Sequence, residues 1–253
     1  MCTILAYKNK DDKTIIGRNF DWIQRGGNVH FIPPARSYGI ETSGMVLFEQ
    51  MGEYMPYDGI NDKGLFVGMA AVVDSDIKPG FKDMNDLGLI RFILELASTA
   101  EEALYIAKKQ DIYYLEDMAY PKVHYMFADK DNNLIIYEEY RGEKKVQLDN
   151  GAVEVITNNS CFGNNPCERM EKVRESFKNK FPNISTKQLL EDVKQEELTV
   201  YSMEYDLSDG SIRFWIEQDF ENEHIFNVKD VEKGKKSLDF GTLKLLANLR
   251  QNQ

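Results

Sequence analysis

Short apolar segments joined by brief polar turns run through most of this chain, and this pattern constrains its fold more than any other feature. Segments 2–7 and 14–20 flank the polar turn 8–13, and segment 200–207 is followed almost directly by 211–217. Two apolar runs with so short a polar connection predict a hairpin. The predicted strands are 2–7, 14–20, 29–33, 45–50, 65–73, 123–128, 134–140, 153–157, 200–207 and 211–217. Because the later strands come as hairpins, the predicted fold class is α+β with extensive antiparallel sheet.

Four further segments have the character of helices, and two of them begin with a capping pattern. Thr99 is followed by Glu102, and Ser185 by Gln188, in the spacing of a capping box. The predicted helices are 87–97, 99–109, 168–180 and 185–193, the third of which is stopped by Pro182. We find no repeat, low-complexity tract or linker that would divide the chain, so we expect one domain over residues 1–253.

Charge and composition exclude several classes of partner. With 31 basic and 42 acidic residues the chain carries a net charge of −11, which repels the phosphates of nucleic acids and anionic membranes. No apolar run approaches the ~20 residues of a membrane span, and the first residues lack the basic region of a signal peptide. The three cysteines are too few for a disulfide scaffold. We therefore expect a cytoplasmic protein that binds neither nucleic acid nor an anionic membrane.

Cys2 is the residue that says most about function. Its small side chain permits removal of Met1, after which one residue carries both a thiol and a free α-amine. An α-amine has a reference pKa of ~7.7–8.0, so it can act as a base near neutral pH and take the thiol proton. The alternative is a buried, inert strand cysteine. Cys2 alone does not decide between the two.

The segment Gly17-Arg18-Asn19-Phe20-Asp21-Trp22 places two charged residues near Cys2. The strand 14–20 should pair with the strand 2–7, which brings Arg18 and Asp21 beside the cysteine. A guanidinium there would favour the thiolate, and a carboxylate would hold the ammonium. The alternative is a surface ion pair that contributes little.

Asn158 stands at the end of the apolar strand 153–157. An amide in that place can donate a hydrogen bond to a developing oxyanion, although an asparagine there can also simply cap the following turn. The segment 59–68, with glycines around a polar turn, predicts a hairpin.

These segments, in this order and spacing, resemble the N-terminal-nucleophile hydrolases of the choloylglycine hydrolase family, which includes bile salt hydrolases and penicillin V acylases. The resemblance rests on residues 1–3, 17–22, 59–68 and 157–158, with weaker similarity at 31–33, 123–125, 129 and 201–210. It extends from residue 1 to about 217. It implies a four-layer αββα sandwich, in which two mainly antiparallel sheets lie between layers of helices.

The resemblance also implies a role for each site residue. Cys2 would be the nucleophile with its own α-amine as base, Arg18 would stabilise the thiolate, and Asp21 would hydrogen-bond the amine. Asn158 and the Ala71 N–H would hold the oxyanion, and Arg169 would be a second arginine near the nucleophile. The reaction implied is hydrolysis of a linear amide C–N bond in an N-acyl compound through a thioester, without a metal or an organic cofactor.

Two departures from the family pattern bear on substrate and assembly. Ala71 stands where the family usually has Asn or Tyr, so the N–H is kept but a side chain over the substrate is lost. Only ten residues separate Asn158 from Arg169, which argues against the family's tetramer and leaves a homodimer as the expectation.

The substrate stays open among bile salts, penicillin V, acyl homoserine lactones and acyl peptides. Acyl transfer, or non-catalytic binding or resistance on the same fold, are the alternative functions.

The remaining histidines and cysteines give no sign of a metal site. His124 lies in an apolar strand, as a core histidine would, and His30 and His224 have no partner at ligand spacing. Cys161 and Cys167 are six positions apart in a predicted turn region, where packing is the simplest role.

Overall fold

The computed structural model describes residues 2–37, 39–72, 84–110, 112–113, 122–139, 141–163 and 167–251. Its strands are β1 (Thr3–Lys8), β2 (Thr14–Asp21), β3 (Asn28–Ile32), β4 (Ala35–Ser37), β5 (Ile40–Thr42), β6 (Met45–Glu49), β7 (Asp58–Asn61), β8 (Leu65–Ala71), β9 (Met84–Asn85), β10 (Ile112–Tyr113), β11 (Val123–Asp129), β12 (Asn133–Glu138), β13 (Gly142–Gln147), β14 (Val153–Ile156), β15 (Thr199–Asp206), β16 (Ser211–Ile216), β17 (His224–Asn227) and β18 (Lys236–Asp239). Its helices are α1 (Asp86–Leu96), α2 (Ala100–Lys109), α3 (Glu168–Lys180), α4 (Thr186–Val193) and α5 (Phe240–Gln251), with a short 3-10 helix over Val228–Lys233.

Two large antiparallel sheets dominate the fold. The six-stranded sheet has the order β14-β1-β2-β15-β16-β17 and the eight-stranded sheet the order β13-β12-β11-β8-β7-β6-β3-β18. Every neighbouring pair in both sheets is antiparallel. The predicted α+β class is confirmed.

Helices cover the outer faces of the two sheets. Helices α1 and α2 pack on strands of the eight-stranded sheet, and α3 and α4 pack on β14, β2 and β15 of the six-stranded sheet. Strand β1 shows the layering: Ile4 and Ala6 belong to the core shared with the eight-stranded sheet, while Leu5 and Tyr7 pack with α3 and α4. Since side chains alternate along a strand, β1 is buried on both faces. This is the αββα sandwich that the resemblance implies.

All ten predicted strands and four predicted helices are present, with ends that differ by one or two residues. The predicted ends at 73 and 140 lie outside the described residues. The helix starts are also as predicted: Thr99 Oγ1 accepts from the Glu102 N–H at 3.2 Å and Ser185 Oγ from the Gln188 N–H at 3.1 Å. The sequence patterns missed β13, β17 and β18, which are edge strands with polar, partly exposed side chains. They also missed β7 and helix α5, and the two-stranded sheets β4–β5 and β9–β10.

Two glycines are needed where the chain comes close to itself. Gly64 turns the β7–β8 hairpin with φ of +84°, a conformation that costs other residues free energy. Gly17 lies under α4, where a Cβ would come within 2.6 Å of Thr186 Cγ2. Glycine therefore allows α4 to pack against the strand that carries Arg18. Within the described ranges, the helices are all too short or too polar to cross a membrane.

Candidate active site

The pairing of β1 with β2 brings the first group of predicted site residues together. Thr3 pairs with Asn19 and Ile4 with Arg18, and continuing this register by one residue places Cys2 opposite Phe20 and next to Asp21. Alternation along the strands directs Cys2 and Arg18 toward the space between the sheets, and Asp21 toward the layer of α3 and α4. Cys2 is 5% exposed. The thiol and the carboxylate therefore lie on opposite faces of one hairpin end.

Arg18 is completely buried between the two sheets. Its Nε lies 2.8 Å from Asp58 Oδ2 of β7, and its Nη1 donates to the Met69 carbonyl of β8 at 2.8 Å. Burial acts to lower the pKa of Arg18, but the Asp58 carboxylate together with Tyr201, Cys2 and Tyr205 outweighs it, and the pKa is raised. The guanidinium is therefore a permanent positive charge, and it interacts with the Cys2 thiol. Arg18 Nη2 makes no hydrogen bond to any residue in the described ranges.

Asp58 is held in turn by two buried phenols of the facing sheet. The Tyr201 hydroxyl donates to Asp58 Oδ2 at 2.9 Å, and the Tyr205 hydroxyl donates to Oδ1. Asp58, Tyr201 and Tyr205 are all buried. Both carboxylate oxygens thus have partners, which a buried charge requires.

Asp21 lies next to Cys2, on the face of β2 that points toward α3 and α4. Its Oδ1 accepts from the Thr199 hydroxyl at 2.6 Å, and its Oδ2 lies 3.4 Å from Arg169 Nη1. Burial raises the pKa of Asp21 to about 6, whereas the Thr199 hydrogen bond and the Arg169 charge act to lower it. The protonation of this carboxyl therefore depends on its two neighbours.

Arg169, in the first turn of α3, connects three segments of the site. Its Nη1 donates to the Cys2 carbonyl and to Thr3 Oγ1, both at 2.9 Å, and its Nη2 donates to Asn158 Oδ1 at 3.0 Å. Its side chain is 15% exposed. A planar guanidinium fixes the directions of all these bonds at once, so Arg169 holds the Cys2 backbone, Asp21 and Asn158 in one arrangement.

Asn158 lies against Ala71, the other residue that the resemblance assigns to the oxyanion. Asn158 Nδ2 donates to the Ala71 carbonyl at 2.8 Å. The amide has two N–H donors, so it can keep this bond and still donate to a substrate oxygen. The Val72 N–H donates to the Lys122 carbonyl at 2.8 Å, in the direction of β11. Because amides alternate along a strand, the Ala71 N–H points to the opposite side.

The structure thus brings all six predicted site residues to one end of the sandwich. It also supplies partners that sequence reasoning missed, above all Asp58 and Thr199. Asp58 gave no signal, because a carboxylate directly before a glycine-containing turn is ordinarily exposed, whereas Asp58 is buried. Thr199 had none, because only the β2–β15 pairing brings it opposite Asp21.

A second group of polar side chains lies directly behind Asn158. His124 of β11 is buried, and its Nε2 donates to the carbonyl of Thr157. Its Nδ1 lies 3.2 Å from Glu138 Oε1 and 3.7 Å from Cys161 Sγ. Burial and the Glu138 carboxylate raise the pKa of Cys161 to about 12.

Comparison with known proteins gives one family match and several structural matches. The model of the choloylglycine hydrolase family, described as linear amide C–N hydrolases, matches residues 2–166. Comparison with the sequences of curated proteins finds no match.

Three solved structures illustrate the structural similarity. The C2A mutant of conjugated bile acid hydrolase from Clostridium perfringens superposes with a TM-score of 0.69 at 17% identity, over 95% of this chain and 96% of that one. The R18L variant of the same enzyme gives 0.66 at 17% identity, over 94% and 96%. Penicillin V acylase from Agrobacterium tumefaciens gives 0.67 at 17% identity, over 94% and 90%. At these identities the similarity establishes the fold.

Proposed function

The chain belongs to the choloylglycine hydrolase family of linear amide C–N hydrolases, and on this basis we propose that it hydrolyses an N-acyl amide with Cys2 as the nucleophile. The function begins with removal of Met1, which turns the Cys2 nitrogen into a free amine. Asp21, one residue beyond the strand partner of Cys2, accepts a hydrogen bond from the resulting ammonium. Arg169 holds the Cys2 carbonyl, so the new N-terminus keeps its position.

The first half of the reaction forms a thioester. The Cys2 amine takes the thiol proton, and the sulfur bonds to the amide carbonyl carbon, whose oxygen becomes an oxyanion. The Asn158 Nδ2–H and the Ala71 N–H donate to that oxygen, and the buried charge of Arg18 stabilises the thiolate before attack. The C–N bond then breaks as the ammonium returns its proton to the leaving amine.

The second half regenerates the enzyme. Water loses a proton to the same α-amine and attacks the thioester carbon, with the oxyanion again held by Asn158 and Ala71. The C–S bond breaks, the acid is released, and the proton returns to the sulfur. The amine thus acts as base in each half and as acid in each half, which needs no further titratable group.

The observation that carries the proposal is the set of contacts made by Arg169. One guanidinium contacts the Cys2 carbonyl, Asn158 Oδ1 and Asp21, which are far apart in the chain. A purely structural hairpin end would need no such connection between a cysteine backbone, a carboxylate and an amide. Two of the similar structures are the C2A and R18L variants of the Clostridium perfringens hydrolase, named for a cysteine and an arginine with the same numbers as Cys2 and Arg18 of this chain.

An assay of amine release from a panel of N-acyl compounds tests the proposal. The panel contains conjugated bile salts, phenoxyacyl amides, acyl homoserine lactones and acyl peptides. We expect turnover of at least one class, abolished in Cys2→Ala and retained in Cys167→Ala, which removes another free cysteine. A second amine added as competitor separates the reactions, since hydrolysis yields the acid and acyl transfer a new amide. Undiminished turnover by folded Cys2→Ala would overturn the mechanism.

A further inference from the structure

Three potential metal ligands converge behind Asn158, from parts of the chain that are distant in sequence. Within the described ranges, His124, Glu138 and Cys161 are the one group of three whose ligand atoms lie within 4.8 Å of one another. His124 and Glu138 are buried and Cys161 is partly buried. They come from β11, from the end of β12 and from the segment that follows β14.

The hydrogen bonds of this group call for a proton or a cation at its centre. The Thr157 carbonyl can only accept, so the hydrogen of the neutral His124 ring is on Nε2 and Nδ1 presents a lone pair. That lone pair faces Glu138 Oε1, which already accepts from the Cys161 N–H at 2.8 Å, and the Cys161 sulfur. A lone pair and a carboxylate oxygen that face each other in a buried place are unfavourable unless a proton or a metal ion lies between them.

The two distances from His124 Nδ1 to the other ligand atoms fit a tetrahedral zinc ion. Bonds of about 2.0–2.1 Å to nitrogen, 2.0–2.2 Å to oxygen and 2.3 Å to sulfur place tetrahedral ligands about 3.3 Å (N to O) and about 3.6 Å (N to S) apart. The His124 Nδ1 atom lies 3.2 Å from Glu138 Oε1 and 3.7 Å from Cys161 Sγ. A protonated His124 paired with Glu138 would account for the first distance but gives the Cys161 sulfur no role.

The surrounding hydrogen bonds are those that orient metal ligands. A ligating histidine usually donates its other N–H to a carbonyl or carboxylate, and ligating carboxylates are themselves hydrogen-bonded. Here His124 donates to the Thr157 carbonyl, and Glu138 Oε2 accepts from the Ser160 hydroxyl at 2.7 Å. Both bonds involve the segment that carries Asn158.

We propose that His124, Glu138 and Cys161 bind one zinc ion that holds the segment 157–161 in place. The mixed nitrogen, oxygen and sulfur ligands suit zinc. On binding, Cys161 releases its proton to solvent, so a thiolate and a carboxylate balance the two charges of the ion. Solvent completes the fourth position. The site is independent of the amide chemistry. The sequence predicts no metal site, because its histidines and cysteines are scattered along the chain.

Metal analysis and cobalt titration test this site. We would purify the full chain without a tag or chelator, measure zinc by mass spectrometry, then titrate chelator-treated protein with Co²⁺. We expect one zinc per chain, and with Co²⁺ the visible bands of tetrahedral cobalt and a near-ultraviolet band from sulfur to cobalt. Cys161→Ala should lose the sulfur band, and Cys167→Ala should keep it.

Glu138→Gln gives a second, milder variant, because glutamine can still accept from Ser160. Replacing a direct ligand should weaken Co²⁺ binding by more than the about 10–100-fold that is lost when a hydrogen-bond partner of a ligand is mutated. Circular dichroism confirms that each variant is folded. The proposal is wrong if the folded wild type binds no stoichiometric Co²⁺, or if Cys161→Ala keeps the sulfur band. The first result points instead to a protonated His124 paired with Glu138 and the second to cobalt bound by another cysteine, and neither bears on amide hydrolysis.

Discussion

The two arginines of the site lie in different regions of the molecule and are held in different ways. Arg18 is fully buried between the sheets and is paired with the carboxylate of Asp58. Arg169 lies at the start of α3 with 15% of its side chain exposed, and its closest partners are neutral oxygens of Cys2, Thr3 and Asn158. Arg18 is a charge enclosed by protein, whereas Arg169 serves as a rigid set of hydrogen-bond donors.

This difference separates the electrostatic role of Arg18 from the geometric role of Arg169. In the buried region the effective dielectric constant is low, so Arg18 acts on the thiolate through its charge, and its removal disturbs both stability and chemistry. At the rim, solvent weakens the charge of Arg169, and what remains is the direction of its hydrogen bonds. We therefore expect stability and activity to be lost together at Arg18 and Asp58, but mainly activity to be lost at Arg169.

The largest effect is expected for Asp58→Asn, which leaves the buried charge of Arg18 without a counter-ion. Breaking one partner of a buried pair costs about 3–5 kcal/mol, so the free energy of unfolding in urea should fall by that amount. Activity should be lost as well, because Arg18 is no longer held beside Cys2.

The double variant Arg18→Met with Asp58→Asn is the matched control for that prediction. With no buried charge left uncompensated, much of the lost stability should return, while activity stays absent. If Asp58→Asn unfolds at the same urea concentration as the wild type, the buried ion pair is not the support described above.

The next effect is expected for Arg169→Ala, which releases Asn158 and Asp21 together. Loss of one oxyanion donor lowers kcat by about 10²–10³, and kcat/KM should fall at least that far. Stability should fall less than for Asp58→Asn, because solvent reaches the site of the change. Arg169→Lys keeps the charge without the planar fork and should restore only part of the activity.

Arg174→Ala, exposed on the same helix, is the matched control and should leave both quantities nearly unchanged. A loss of stability by Arg169→Ala as large as that of Asp58→Asn would remove the contrast between the two arginines.

A smaller effect, confined to the chemical step, is expected for Asn158→Ala. Its kcat should fall by about 10²–10³ with little change in KM, because the donor acts on charge that develops during the reaction. If Arg169 acts mainly by orienting Asn158, the double variant with Arg169→Ala should be much less impaired than the product of the two single effects. A double-mutant cycle on kcat/KM measures this coupling, and strict additivity would contradict it.

The smallest effect is a shift in pH dependence on replacing Thr199 with Val. The Thr199 hydroxyl donates to ionised Asp21 and lowers its pKa, against the burial that raises it to about 6. Removing the hydroxyl raises the pKa of Asp21, so the carboxylate that holds the Cys2 ammonium is protonated at a higher pH. The pH at which kcat/KM falls on the acid side of its pH profile should be higher than in the wild type. An unchanged or lower value of that pH would contradict this role for Asp21.

How much of the site was predictable depends on how far apart its residues lie in the chain. Cys2, Arg18 and Asp21 share one hairpin, so the strand pattern alone brings them together. Asn158 and Arg169 required the family resemblance, since α3 must fold back over β1 for Arg169 to reach Cys2.

The supporting residues could not be predicted, because their neighbours are set by the packing of the two sheets. The segment 59–68 predicts a hairpin, but nothing in its pattern predicts that β7 is a buried strand that presents Asp58 to Tyr201 and Tyr205 across the core. The group of His124, Glu138 and Cys161 depends on the β11–β12 pairing and on the path of the chain after β14. Edge strands such as β13 escaped prediction because one side of an edge strand is solvated and carries no apolar pattern.

The most direct test of the account is the mass of the N-terminal peptide from catalytically active protein, quenched in acid during turnover of an N-acyl substrate. We predict that the active protein lacks Met1, and that any acyl group trapped by the quench is on Cys2. Full turnover by protein that retains Met1, or an acyl group trapped on Cys161 or Cys167, would contradict it.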